Sequence, residues 1–126
     1  TSACYTCCQE EDTADHILAQ CVYARQVWSG CFQFLQINIQ TPSPEDTFTE
    51  WRDKARKSFH GKFKRGFDSF VILTVWHLWK QRNARAFIRN DQVRSDTNLV
   101  QLIHEEIKLW KKAGIGVEGL DRFVRE

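Results

Sequence analysis

Residues 67–87 read FDSFVILTVWHLWKQRNARAF. In its first half Phe67, Phe70, Val71, Leu73, Val75, Trp76, Leu78 and Trp79 are apolar. At 3.6 residues per turn these cannot share one helix face. A helix that is apolar all round is one surrounded by other elements. Lys80, Arg82 and Arg85 follow too soon for a membrane span, which needs about 20 apolar residues. The stretch therefore predicts a central helix over Phe67–Ala86, with the rest of the chain packed around it.

The flanking segments repeat a helical period. Ala24, Val27, Trp28, Cys31, Phe32 and Leu35 recur at three and four, which predicts a helix over Val22–Leu35 with Cys31 in the core. Pro42-Ser43-Pro44 reads as a loop. Ser43 is placed to cap a following helix, with Pro44 at its first position and Asp46 three residues after the cap. Phe48, Trp51, Ala55 and Phe59 form that helix's apolar stripe, and His60-Gly61 ends it. Lys62–Arg65 then leads into the central helix. After a polar connection over Ile88–Arg94, Ser95 or Asp96 caps a last helix that stops at Gly114. Its inward stripe is Leu99, Leu102, Ile103, Ile107 and Trp110. His104, Glu105 and Glu106 read as a solvated face, because adjacent positions diverge on a helix. Asn83 is a poor helix former, so its amide is expected to satisfy a buried backbone group, with Arg82 or Arg85 doing the same. The fold class is all-α: a single domain over 1–126 with about four principal helices.

The N-terminus carries chemistry of another kind. Cys4, Cys7, His16 and Cys21 follow the spacing C-x2-C-x8-H-x4-C. Zinc takes four nitrogen or sulfur ligands in a tetrahedron, and a first pair separated by two residues commonly opens such a site. Cys8 offers a second spacing, C-x3-C-x7-H-x4-C, so the second ligand is Cys7, the favoured one, or Cys8. Asp12 or Thr13 can cap a short helix carrying His16. On a continuous α-helix, residues five apart point about 140° away from each other. That helix must therefore end near Gln20, with Cys21 at the break. Four protein ligands close the coordination sphere, whereas a catalytic zinc keeps a position for water. The expectation is one structural Zn2+. Residues 1–28 then form a zinc knuckle, clamped onto the central helix through Trp28, with a helical body over 29–114 and a loosely held tail over 115–126.

Composition limits the role. Aromatic residues are 13% of the chain, so a packed core is expected. Five cysteines, an odd number, suit an intracellular metal site better than a secreted disulfide framework. No stretch reads as a signal or transit peptide, and the expectation is a nuclear or cytoplasmic protein without membrane association. The chain lacks Met and its metal motif starts three residues in, which reads as an excerpt of something longer. Net charge is only +2, but bases cluster. Arg52, Lys54, Arg56, Lys57, Lys62, Lys64 and Arg65 form one run. Lys80, Arg82, Arg85, Arg89 and Arg94 form another. If the runs share a face, it attracts phosphates, and Lys80 and Arg85 join the first run as candidate nucleic-acid contacts. No nucleophile elbow, phosphate-cradling loop or carboxylate pair points to an enzyme or a small-molecule substrate.

The two features together resemble a known family. CYTCCQEEDTADHILAQCVYARQVW is similar to the zinc-binding domain that follows the reverse transcriptase of plant non-LTR (LINE-class) retroelements. There a C-x2-C pair precedes an acidic stretch, a His, a Cys and a Trp, here Cys4, Cys7, Glu11 to Asp15, His16, Cys21 and Trp28. The later segment Trp76, Trp79, Lys80, Arg82, Asn83, Arg85 and Phe87 resembles the tail that follows in those polyproteins. That family commonly has Gly where Cys8 stands. The resemblance implies an accessory module that holds RNA or DNA near a polymerase. The alternative is a stand-alone retroelement-derived protein-interaction module with a regulatory role in a plant cell, with Tyr5, Phe34 or Phe63 as anchors.

Overall fold

The described part of the computed structural model is residues 4–7 and 11–114, and all its regular elements are helical. A short π-helical turn, His16–Gln20, leads into α1 (Val22–Leu35). Then come α2 (Phe48–Arg56), α3 (Lys62–Ala86), a 3-10 turn (Asn90–Gln92) and α4 (Asp96–Ala113). Cys8 and the tail lie outside the described residues.

The apolar periods explain the packing. Tyr23, Ala24, Val27, Trp28, Cys31, Phe32 and Leu35 of α1 are buried. They meet Trp51 of α2 and Phe67, Phe70 and Val71 of α3 in one core. Its centre is aromatic: the Trp28 ring lies 4.8 Å from Trp51 and 5.7 Å from Phe70, edge to face with the latter. Such pairs add about 0.5–1.5 kcal/mol each beyond the area they bury. Leu99, Ile103 and Ile107 close α4 over α1. The approach is close enough that a Cβ built on Gly30 meets Val100 Cγ2 at 2.8 Å. The Gly that interrupts the α1 pattern is therefore where the two helices touch.

Several sequence expectations need correction. α3 begins at Lys62, five residues before Phe67. Gly61, at φ +58°, makes the break, and the Lys64 N–H donates to its carbonyl. The Ser43 N–H donates to Asp46 Oδ2 and the Asp46 N–H to Ser43 O, while the Ser43 hydroxyl accepts from the Glu45 N–H, so these bonds close a turn instead of opening a helix. Thr47 is the cap of α2, accepting from the Glu50 N–H at 3.2 Å, and α2 ends at Arg56, before His60. Ser95 does cap α4, and Gly114 at φ +71° ends it.

The largest correction concerns α3 itself. Phe67, Phe70, Leu73, Thr74, His77, Leu78, Gln81 and Ala84 are buried, but Ile72, Trp76 and Trp79 face solvent. A 25-residue helix is about 37 Å long. Nine-residue α2, the π-turn and α4 cover it on one side only. Inside that covered side, His77 Nε2 lies 2.9 Å from Glu106 Oε1. Glu106 thus serves a buried partner, and His104 stacks on Phe34 at 4.1 Å, so neither belongs to a solvated face. The buried-backbone role assigned to Asn83 falls to Gln81, which donates to Gln92 O and accepts from Arg94 N–H. Asn83 Oδ1 instead accepts from the neighbouring Arg82.

Candidate metal centre

Thr13 starts the segment that carries the imidazole. Its Oγ1 accepts the His16 N–H at 3.1 Å and its carbonyl accepts from Ile17. The following turn is one residue wider than an α-turn: the Cys21 N–H donates to His16 O at 2.7 Å, an i→i+5 bond. That bond sets residues 16 and 21 one above the other, which an α-helix would not do. Cys21 then leaves the helix with extended backbone, φ −63° and ψ 139°, before α1 begins. The predicted break at Cys21 is present, and the π-turn is its means.

The four donors converge. Cys4, Cys7 and Cys21 Sγ and one His16 ring nitrogen all lie within 4.8 Å of one another. Cys4 and Cys21 Sγ are 3.9 Å apart, and both cysteines are free thiols. A tetrahedral ion with metal–sulfur bonds of about 2.3 Å separates two sulfur ligands by about 3.8 Å. Cys7 Sγ meets His16 Nε2 at 3.1 Å. Cys4, Cys21 and His16 are buried and Cys7 is half-buried, so the donor set is shielded from bulk water.

Local polar groups favour the thiolate. Burial pushes the Cys4 thiol up, but hydrogen bonds from the Thr6 side chain and the Cys7 and Thr6 backbone outweigh this and hold it below its ordinary value. Thr6 Oγ1 lies 2.9 Å from Cys4 Sγ and 3.2 Å from Cys21 Sγ. A cysteine binds metal as the thiolate, so the Thr6 hydroxyl beside Cys4 Sγ stabilises the binding form of that residue. Cys31 has no such groups: burial alone pushes its thiol well up, consistent with a core role. The three sulfurs and one imidazole can hold a single metal ion.

The centre is fastened to the helical body at four points. Trp28 Nε1 donates to Leu18 O inside the π-turn at 2.8 Å, which is the predicted clamp. Asp15 Oδ1 accepts the Phe48 N–H, and Gln20 donates to Asp46 O. Arg82 of α3 makes the fourth, donating from Nε and Nη2 to Asp12 Oδ2 at 3.2 and 2.8 Å. The Asp12 side chain is 8% exposed, so this pair is largely desolvated. Arg82 also lies over two rings, Tyr5 at 5.1 Å and Trp79 at 5.4 Å. Thr6 and the Asp12–Arg82 pair escape sequence reading. Seventy residues separate the latter two, and only the acidic run before His16 hints at a distant base.

The basic residues divide. Arg52 pairs with Asp53, and Arg56 makes two bonds to Asp68 at 2.7 and 2.9 Å. Arg85 turns to Arg94 O at 2.8 Å and lies over the Tyr23 ring, whose hydroxyl reaches the same carbonyl. Arg85 is thus occupied in fastening the connection before α4. Lys54, Lys57, Lys62 and Arg65 are exposed where α2 gives way to α3, Lys64 is half-buried there, and exposed Lys80 lies 5.9 Å from the Trp76 ring. Of the anchors expected for a protein partner, Tyr5 is exposed while Phe34 and Phe63 are half-buried. Among the described residues, no helix is long and apolar enough to cross a membrane. The chain was compared with models of known protein families, with curated proteins and with solved structures, and none matched.

Proposed function

We propose that the centre holds one structural zinc ion and that the domain is a retroelement-derived accessory module, binding nucleic acid beside a reverse transcriptase. Three sulfurs and one imidazole are a donor set that zinc favours. Four protein ligands leave no position for a reacting water, so the ion's contribution is to folding. The observation that carries the nucleic-acid reading is the α2–α3 corner. Lys54, Lys57, Lys62 and Lys64 gather there, and the nearby acids Asp53 and Asp68 are already paired with Arg52 and Arg56. The corner is left with a net positive field that phosphates answer.

Two measurements test this. Elemental analysis of purified protein should find one zinc per chain, and chelation should lower the melting temperature sharply; an unchanged melting curve refutes the structural ion. Affinity for RNA or DNA should fall with salt, with a log–log slope of about −3 for a single strand or about −4 for duplex DNA if four or five phosphates are neutralised. Absence of binding at about 50 mM salt refutes the nucleic-acid reading.

A protein-interaction module is the second reading, and one observation favours it. Ile88, at the end of α3, is 78% exposed and holds φ at +55°. A β-branched residue in the left-handed region costs about 1–2 kcal/mol and marks a position worth testing for contact. A domain that binds no nucleic acid, yet loses a defined protein partner on Ile88→Asn, would establish it in place of the first.

A further inference from the structure

α3 presents a line of rings to solvent. Ile72, Trp76, Trp79 and Phe87 lie within about 80° of one another around the helix. Trp76 is 58% exposed, Trp79 41% and Phe87 62%. Exposed tryptophans on one line are unlike singly scattered apolar residues, which are ordinary.

These rings carry cations. Lys80 Nζ sits 5.9 Å from Trp76, Arg82 Cζ 5.4 Å from Trp79, and Arg89 Cζ 5.4 Å from Phe87. Tyr5 continues the surface beyond α3, with Arg82 lying over both its ring and that of Trp79. Tyr5 belongs to the loop between Cys4 and Cys7, so the metal centre sets its position. Of the bases on α3, Arg82 is paired with Asp12 and Arg85 is turned to Arg94 O, while the helix's one acid, Asp68, is held by Arg56, so Lys62, Lys64 and Lys80 set its outward charge.

The occupant must offer flat apolar faces and negative charge together. Single-stranded nucleic acid does: each unpaired base can stack on a ring while its phosphate meets a neighbouring cation. A duplex has its bases already stacked on one another. A second copy of this face would set Lys80 and Arg89 near cations of the same kind, a costly arrangement. Building on the proposed nucleic-acid role, we infer that Tyr5, Trp76 and Trp79, with exposed Lys80 beside them and Arg82 held in place by Asp12, form a base-stacking platform for single-stranded nucleic acid.

The test uses the metal-loaded chain and a labelled oligothymidylate of about 15 nucleotides, with a duplex of equal length beside it. Trp76→Ala and Trp79→Ala should each weaken single-strand binding by roughly five- to a hundredfold, while Trp76→Phe and Trp79→Phe retain most of it. The salt slope should not change, because no cation is removed. Both tryptophans face solvent, and thermal melting checks that the Ala variants stay folded. Native protein that binds the oligonucleotide while both Ala variants bind it equally well overturns the platform but leaves the nucleic-acid role standing. Duplex binding as tight as single-strand binding also overturns it. No binding by native protein removes both readings. A dimer that Trp76→Ala dissociates overturns the platform in favour of a self-association face.

Discussion

Gly30→Ala sets two opposed effects against each other. In a helix interior Ala is favoured over Gly by about 0.5–1 kcal/mol, through the backbone freedom Gly loses on folding. At this position the new methyl would stand 2.8 Å from Val100 Cγ2 and 3.2 Å from Cγ1. Val100 cannot easily turn aside, since a β-branched side chain in a helix keeps one strongly preferred rotamer. Nor can α4 readily withdraw, with Leu99 and Ile103 fully buried against the core. Overpacking of this kind costs about 1–3 kcal/mol, so the clash outweighs the propensity gain. Urea denaturation of metal-loaded protein should show a net loss of about 1 kcal/mol, a melting-temperature drop of about 4 °C for a domain of this size. In a Val100→Ala background the obstruction is gone, and the same substitution should stabilise by about 0.5–1 kcal/mol. A stabilising effect in the native background, or equal effects in both, refutes the close-contact reasoning.

Arg82→Ala should cost about 3 kcal/mol, because it strands the Asp12 carboxylate in a site 8% exposed. Asp12→Asn added to it should recover part of the loss in chemical denaturation, and no recovery would show that the ion pair is not the cause. Ile88→Gly should raise stability by about 1 kcal/mol by relieving the positive φ; a lower melting temperature would contradict that strain. His77 is held below its ordinary pKa, chiefly by burial, despite Glu106. The unfolded chain therefore takes up its proton first as pH falls, and the stability contribution present above about pH 6.5 is lost below it. His104 is also depressed, chiefly by burial, and adds the same sign. Denaturation from pH 7.5 to 5 should slope less steeply for His77→Gln than for native protein, and identical slopes would rule His77 out.

How legible the fold was depended on how local its causes are. α1 runs over Val22–Leu35, and α4 starts at its Ser95 cap and stops at Gly114, because period, cap and stop act within a few residues. The candidate metal donors were readable for a related reason: their spacing brings them together, and even the break at Cys21 followed from angular geometry. The start of α2 was misplaced because Ser43 and Asp46 carry a capping pattern that a simple turn satisfies equally well. The surroundings of α3 were misjudged for a deeper reason. Apolar residues on every side say that a helix could be buried, but how many neighbours are long enough to cover it is a property of the whole chain. Trp76 and Trp79 were thus assigned to the core they do not enter. Asp12–Arg82 and His77–Glu106 were invisible because each joins segments distant in sequence.

The π-turn at His16–Gln20 has a consequence for chain length. With one residue fewer, an ordinary α-turn would still stack imidazole over sulfur, and the segment upstream would keep its facing on α3, with Asp12 within reach of Arg82. With one residue more, imidazole and sulfur would stand six apart, about 120° away from each other on a helix. The imidazole would then leave the three sulfurs. The wide turn is thus the longest connection the donor set tolerates, and the gap between His16 and Cys21 can shorten by one residue but not lengthen.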